Sequence, residues 1–158
     1  MRSQVRAFGI TAVLICICVS LGCSPLGCSP VGPIPGGKLS GETAPQPDDW
    51  MFSDEFKNIQ LETDPDDPYS VTVWCTTQQG QLYIAAARGT ESKWAANLIG
   101  DPRARVRIDG LLYDRRAVRV DDAEETDKVL EMFVAKYDFD LPSEEERARA
   151  ILFRMESP

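Results

Sequence analysis

The amino-acid sequence predicts a mainly β domain, mostly antiparallel and flanked by helices, and three observations carry that prediction. Arginines at 103, 105 and 107 alternate with Ala104, Val106 and Ile108, the two-residue period of a strand with one buried face. Asp109 and Gly110 suit a two-residue hairpin turn, which makes Leu111 to Val120 the antiparallel return strand. One long amphipathic helix then carries Val129, Leu130, Phe133, Val134 and Tyr137 on a stripe wide enough to need a hydrophobic partner.

From the amino terminus, Arg2 and Arg6 precede an apolar run from Ala7 to Leu21, the order of a secretory signal and short for a membrane span. Leu21, Gly22, Cys23 and Ser24 resemble the processing site of a bacterial lipoprotein, which predicts a signal peptide at 1–22 and acylation of Cys23. Ser20 departs from the aliphatic residue usual there, and Cys28, in the partial repeat GCSPLGCSP, is the fallback. The protein is then expected in the bacterial cell envelope, extracytoplasmic and held to a membrane by its lipid. Residues 23–47, rich in Pro, Gly and Ser, read as a flexible tether, and 48–158 as the folded domain.

Within the domain, Asp54 to Leu61 reads as a short helix or an irregular wrap packing Phe56 and Ile59. The segment ETDPDDPYSV is a proline-led turn whose carboxylates bond backbone N–H groups, and it lacks the spacing of a calcium loop. Val71 to Thr77 reads as one strand, with Cys75 a small buried hydrophobe. Gln81 to Ala87 is a further strand, closed by Arg88 and Gly89. Thr90 or Ser92 caps a brief helix with Trp94, Ala95 and Leu98 on its apolar face, and Gly100, Asp101 and Pro102 stop it. The consecutive Arg115 and Arg116 mark a bulge or a sheet end. Asp121 or Asp122 caps the long helix, with Glu125 as the reciprocal partner of Asp122. Ser143 caps a second, acidic helix, and ILFRM adds a closing strand.

Composition removes several function classes. The chain has no histidine, so a Ser-His-Asp triad is excluded, and neither a Gly-rich nucleotide loop nor a CxxC pair lies in the mature domain. Any chemistry must come from a bound cofactor. Loss of Arg2 and Arg6 lowers 17 basic side chains to 15 against 25 acidic ones, a net charge of −10 that repels nucleic acid. The arginines between 103 and 119 read as a solvated sheet face paired with Asp and Glu. The candidate site is the corner where Gln81–Ala87 hands over to the helix, because cationic Arg88 and Lys93 meet the N–H groups of a helix start.

The succession of a strand, GTESKWAANLIGDPRARVRIDG, a hairpin and RAVRV resembles the split β-barrel superfamily, over roughly Tyr69 to Tyr137. Its members include pyridoxamine 5'-phosphate oxidase-like flavoproteins and deazaflavin-dependent nitroreductases. The resemblance implies a six-stranded, FMN-binding split β-barrel-like fold, a homodimer with its cleft between subunits, and FMN or a deazaflavin as cofactor. Ser92 and Lys93 hold the positions of the family's phosphate contacts, Arg88 and Asn97 are further candidates, and Trp94 or Tyr83 borders the ring. The sequence departs from many relatives in having no Arg or Lys in Val71–Thr77. Two functions follow: a membrane-anchored reductase of small organic acceptors, or a non-catalytic binding or structural lipoprotein that has lost the cofactor.

Overall fold

The computed structural model describes residues 28–158, so the expected signal peptide and Cys23 lie outside the described residues. Strand β1 (Glu42–Thr43) and a 3₁₀ turn at Met51–Glu55 precede β2 (Ile59–Thr63), β3 (Tyr69–Val73), β4 (Cys75–Gln78) and β5 (Gln81–Ala86). Helix α1 (Lys93–Gly100) leads into the hairpin β6 (Arg103–Ile108) and β7 (Leu111–Arg119), followed by α2 (Ala123–Tyr137), α3 (Glu144–Arg149) and β8 (Ile151–Glu156).

The sheet runs β3-β2-β6-β7-β8-β5-β4, with each neighbouring pair antiparallel, while β1 pairs in parallel with the start of β7. Its two outermost strands, β3 and β4, are separated in the chain by Trp74 alone. One bent strand therefore supplies both edges, and the sheet curls into a barrel. The mainly antiparallel β architecture is as expected, but two elements differ. The single strand expected over Val71–Thr77 breaks at Trp74 because its halves pair with different partners, β2 and β5. The helix or wrap expected up to Leu61 is instead a 3₁₀ turn and then strand β2, which brings the strands beyond six. Buried Glu62 and Thr63 hide its alternation.

Asp109 and Gly110 both adopt positive φ, 50° and 80°, as a primed hairpin turn requires. The β6–β7 register then runs unbroken from Ile108↔Leu111 to Arg103↔Arg116, so no bulge forms at Arg115. Instead Arg115 turns inward, 4% exposed, and Arg116 outward.

Two apolar layers follow from strand alternation. Leu82, Ile84 and Ala86 of β5 join Phe153 and Met155 of β8 inside the barrel. Tyr83 and Leu152, facing the other way, pack under Val129, Leu130 and Phe133 of α2. Helix α2 begins where expected: the Asp122 carboxylate accepts the Glu125 N–H at 2.8 Å. The Glu125 side chain does not return that bond. It accepts from the Tyr83 hydroxyl at 2.8 Å and pairs with Arg154 at 2.6 Å, because both lie beneath it on the sheet. Ser143 and Glu146 form a complete capping box on α3.

The stretch expected as a tether packs against the barrel over its described part. Gly36 and Ser70 exchange two backbone hydrogen bonds of 2.8 Å, Leu39 is 2% exposed, and Glu42–Thr43 form β1. Pro and Gly content signals the absence of regular structure, and these contacts are made by backbone groups and one leucine.

Candidate functional site

A cleft of about 440 Å³ opens where β3 gives way to β4. Its floor is Ala85, Ala86 and Ala87 at the end of β5, whose small side chains leave the space unfilled. Leu130 and Phe133 of α2 and Leu152 of β8 form an apolar flank. Trp74 and Phe139 face one end, Arg88, Ser92 and Arg149 lie at the strand-to-helix corner, and two carboxylates, Asp140 and Glu146, also line the cleft.

Gly89 sets that corner. It adopts φ +53°, and a Cβ there would stand 2.5 Å from the Arg149 carbonyl oxygen. The backbones before α1 and at the end of α3 thus touch, which brings Arg88 and Arg149 to the same cleft. Among the described residues neither arginine has a carboxylate within 4.0 Å, whereas Arg103, Arg105, Arg119, Arg147 and Arg154 all do. The acidic group closest in sequence to Arg149 is engaged mainly by the capping box: the Ser143 hydroxyl and N–H, with a smaller contribution from the Arg149 charge, hold the Glu146 carboxyl below its usual range. Ser92 occupies the N-cap position of α1, but its hydroxyl makes no capping bond.

Of the residues expected from sequence, Arg88, Ser92 and Trp94 line the cleft. Trp94 is largely a core residue, 9% exposed, with its ring 6.0 Å from Phe153. Lys93 and Asn97 stand elsewhere: the Lys93 ammonium lies 4.4 Å over the Tyr69 ring, and the Asn97 amide donates to the Thr63 hydroxyl at 3.1 Å. In an eight-residue helix, successive positions diverge by about 100°, so Ser92 and Lys93 cannot share a face. Tyr83 lies under α2, bonded to Glu125.

The sequence reading missed Trp74, Phe139 and Arg149. Trp74 had a signal, because alternation in VTVWCTT puts it opposite Val73 and Cys75 and hence outside the barrel. Arg149 had none, since nothing in SEEERARA separates it from a solvated helix residue. Cys75 is buried, and burial pushes its thiol up despite the Lys136 ammonium 3.6 Å away, so it remains a neutral core group. Among the described residues no group of three His, Cys, Asp or Glu is placed to hold a metal, and no helix is long and apolar enough to cross a membrane.

Residues 53–150 match the family described as "Uncharacterized protein conserved in bacteria (DUF2255)". Among curated proteins none matches the chain. The conserved hypothetical protein Rv2991 from Mycobacterium tuberculosis is 19% identical with a TM-score of 0.54, covering 73% of this chain and 86% of its own. The heme storage protein HutZ from Vibrio cholerae is 18% identical, TM-score 0.55, with coverage of 68% and 85%. A candidate pyridoxamine 5'-phosphate oxidase from Listeria innocua is 14% identical, TM-score 0.52, with coverage of 64% and 83%. At these identities the likeness is one of fold: the chain is a split β-barrel of the pyridoxamine 5'-phosphate oxidase-like type.

Proposed function

We propose, for a chain that belongs to the DUF2255 family and folds as a split β-barrel, that the cleft binds a flavin-type cofactor, FMN or a deazaflavin, by its phosphate. The protein would be a membrane-anchored, extracytoplasmic reductase of small organic acceptors. The observation that carries this reading is the meeting of Arg88 and Arg149, neither with a carboxylate within 4.0 Å among the described residues, at one end of a cleft with apolar flanks that Asp140 and Glu146 also line.

The residues present fit such a group. Two guanidinium groups and the uncommitted Ser92 hydroxyl offer charge-assisted and neutral donors to the three terminal oxygens of a phosphate monoester. A cavity of about 440 Å³ lies within the ordinary range of roughly 300 to 1,000 Å³ for small-molecule sites. A bound flavin supplies hydride transfer. The chain's own part is to neutralise the phosphate through Arg88 and Arg149, to donate from Ser92, and to exclude water with Leu130, Phe133 and Leu152.

Titration of the full chain with FMN and with a deazaflavin tests the reading. Arg88→Ala and Arg149→Ala should each weaken binding by ~10- to 150-fold, the value of a charged hydrogen bond, and Lys93→Ala should leave it unchanged. A chain that is colourless from its own host and binds neither ligand would instead support a non-catalytic binding or structural lipoprotein, a reading favoured by the lack of Arg and Lys in Val71–Thr77. Anchoring rests on acylation of Cys23, and Cys23→Ser should move the protein out of the membrane fraction. Sedimentation of the extracted protein tests the homodimer.

A further inference from the structure

We propose that Trp74 is the ring platform of the cleft: its indole takes the face of an electron-poor planar ring whose anionic end lies at Arg88 and Arg149. The inference rests on the reading of this cleft as the ligand site, and it names the class of ring and the residue that selects it.

The chain holds three tryptophans, and the other two serve the core: Trp50 is 3% exposed and Trp94 9%. Trp74 is 49% exposed, although Val73 and Cys75 on either side are buried. It is the single residue between β3 and β4, so the bend that closes the barrel turns its side chain outward into the cleft wall. One face of the indole is already taken. Tyr137 stacks on it with centroids 4.2 Å apart and planes inclined by 7°, and Phe139 leans against it at 5.9 Å.

That stack is fixed from behind. The Tyr137 hydroxyl accepts the Cys75 N–H at 2.9 Å and donates to the Lys57 carbonyl at 2.7 Å, and burial pushes its phenol well above the ordinary value. The tyrosine ring cannot swing without breaking both bonds. The half-exposed indole is therefore held in a set orientation at the cleft wall, which lowers the entropy lost on binding. An indole is electron-rich, so it stacks best on an electron-poor ring, in the offset geometry that aromatic pairs prefer. The two arginines favour an anion at the other end, against the Asp140 and Glu146 carboxylates that also line the cleft. An oxidised isoalloxazine carrying a phosphate meets both conditions, and so does a nitroaromatic carboxylate.

Tryptophan emission of the full chain, titrated with FMN, 4-nitrobenzoate and cyclohexanecarboxylate, tests the assignment. The two planar ligands should quench the emission that Trp74→Phe removes, and the saturated carboxylate should not. Trp74→Ala should weaken planar-ligand binding about tenfold, with Trp74→Phe retaining most of it. The phenylalanine variant keeps the stack on Tyr137, so the comparison survives if the alanine variant fails to fold. Quenching by 4-nitrobenzoate without FMN binding would leave the platform standing and remove the flavin reading. FMN binding that Trp74→Phe and Trp74→Ala leave unchanged would overturn the platform and keep the flavin. Equal binding of cyclohexanecarboxylate, or binding of neither planar anion, would also overturn it.

Discussion

The arginines of the β6–β7 face and those of the cleft corner are the same residue type put to opposite uses. Arg105 meets the Glu62 carboxylate at 2.6 Å, and the Leu39 N–H also donates to that carboxylate, which is only 6% exposed. Arg115 lies 4.6 Å over the Trp50 ring and donates to the Met155 carbonyl and to Gln46. Its burial pushes the guanidinium down to about 10, still charged at neutral pH. These charges are consumed by the fold. Arg88 and Arg149 are exposed and meet no carboxylate among the described residues, although α3 is rich in glutamate. The difference is one of placement: Arg116 of β7 is also exposed with no carboxylate within 4.0 Å among the described residues, but Arg88 and Arg149 are the arginines that line the cleft.

Substitutions that confuse the two sets should have the largest effects. Arg105→Ala leaves Glu62 buried with a backbone donor as its main partner, and should destabilise the fold by about 3 kcal/mol in urea denaturation. FMN affinity of the folded fraction should be unchanged. A loss below about 1 kcal/mol would place Arg105 with ordinary surface pairs and remove the contrast. Gly89→Ala joins both sets, since its new Cβ meets the Arg149 carbonyl and its φ of +53° disfavours a side chain. It should cost about 2 kcal/mol and also weaken the ligand by parting the two arginines. By contrast Arg88→Ala should shift stability by no more than about 0.5 kcal/mol while losing affinity, which calorimetry and titration on one sample can compare.

The smallest effect is in pH. Burial, and then the hydrogen bond to Glu125, push the Tyr83 phenol from 10.0 up to about 12. Between those values the folded state holds a proton that the unfolded state has released, so stability should fall as pH rises through this window. Tyr83→Phe should reduce that slope, leaving the share that Tyr137 contributes, without touching the cleft.

Local chemistry explains which parts were readable. The Asp109–Gly110 turn, the Asp122 cap and the Ser143–Glu146 box are signals within a few residues, and the structure has all three. Strand β2 was hidden because Glu62, on the outer face beside Arg105, a partner 43 residues away, is buried where Leu39 covers it. The break at Trp74 was hidden for a similar reason: no local residue demands it, and only closure of the barrel does. The site divides in the same way. Arg88, Ser92 and Trp94 come from one stretch that could be read, while Trp74 and Arg149 reach the cleft only through topology.

The stretch from Gly36 to Thr43 has a role that its composition conceals. Gly36 pairs with Ser70 on the outer side of β3, and Glu42–Thr43 pair with the part of β7 that β8 leaves uncovered. An unpaired strand edge is a template for another chain, and this strap occupies two such edges at once. A protein trimmed to begin at Asp48, where composition places the domain boundary, would expose both edges together with the seat of Leu39. Its expected failure is self-association through edge-to-edge pairing, even while the barrel core remains intact.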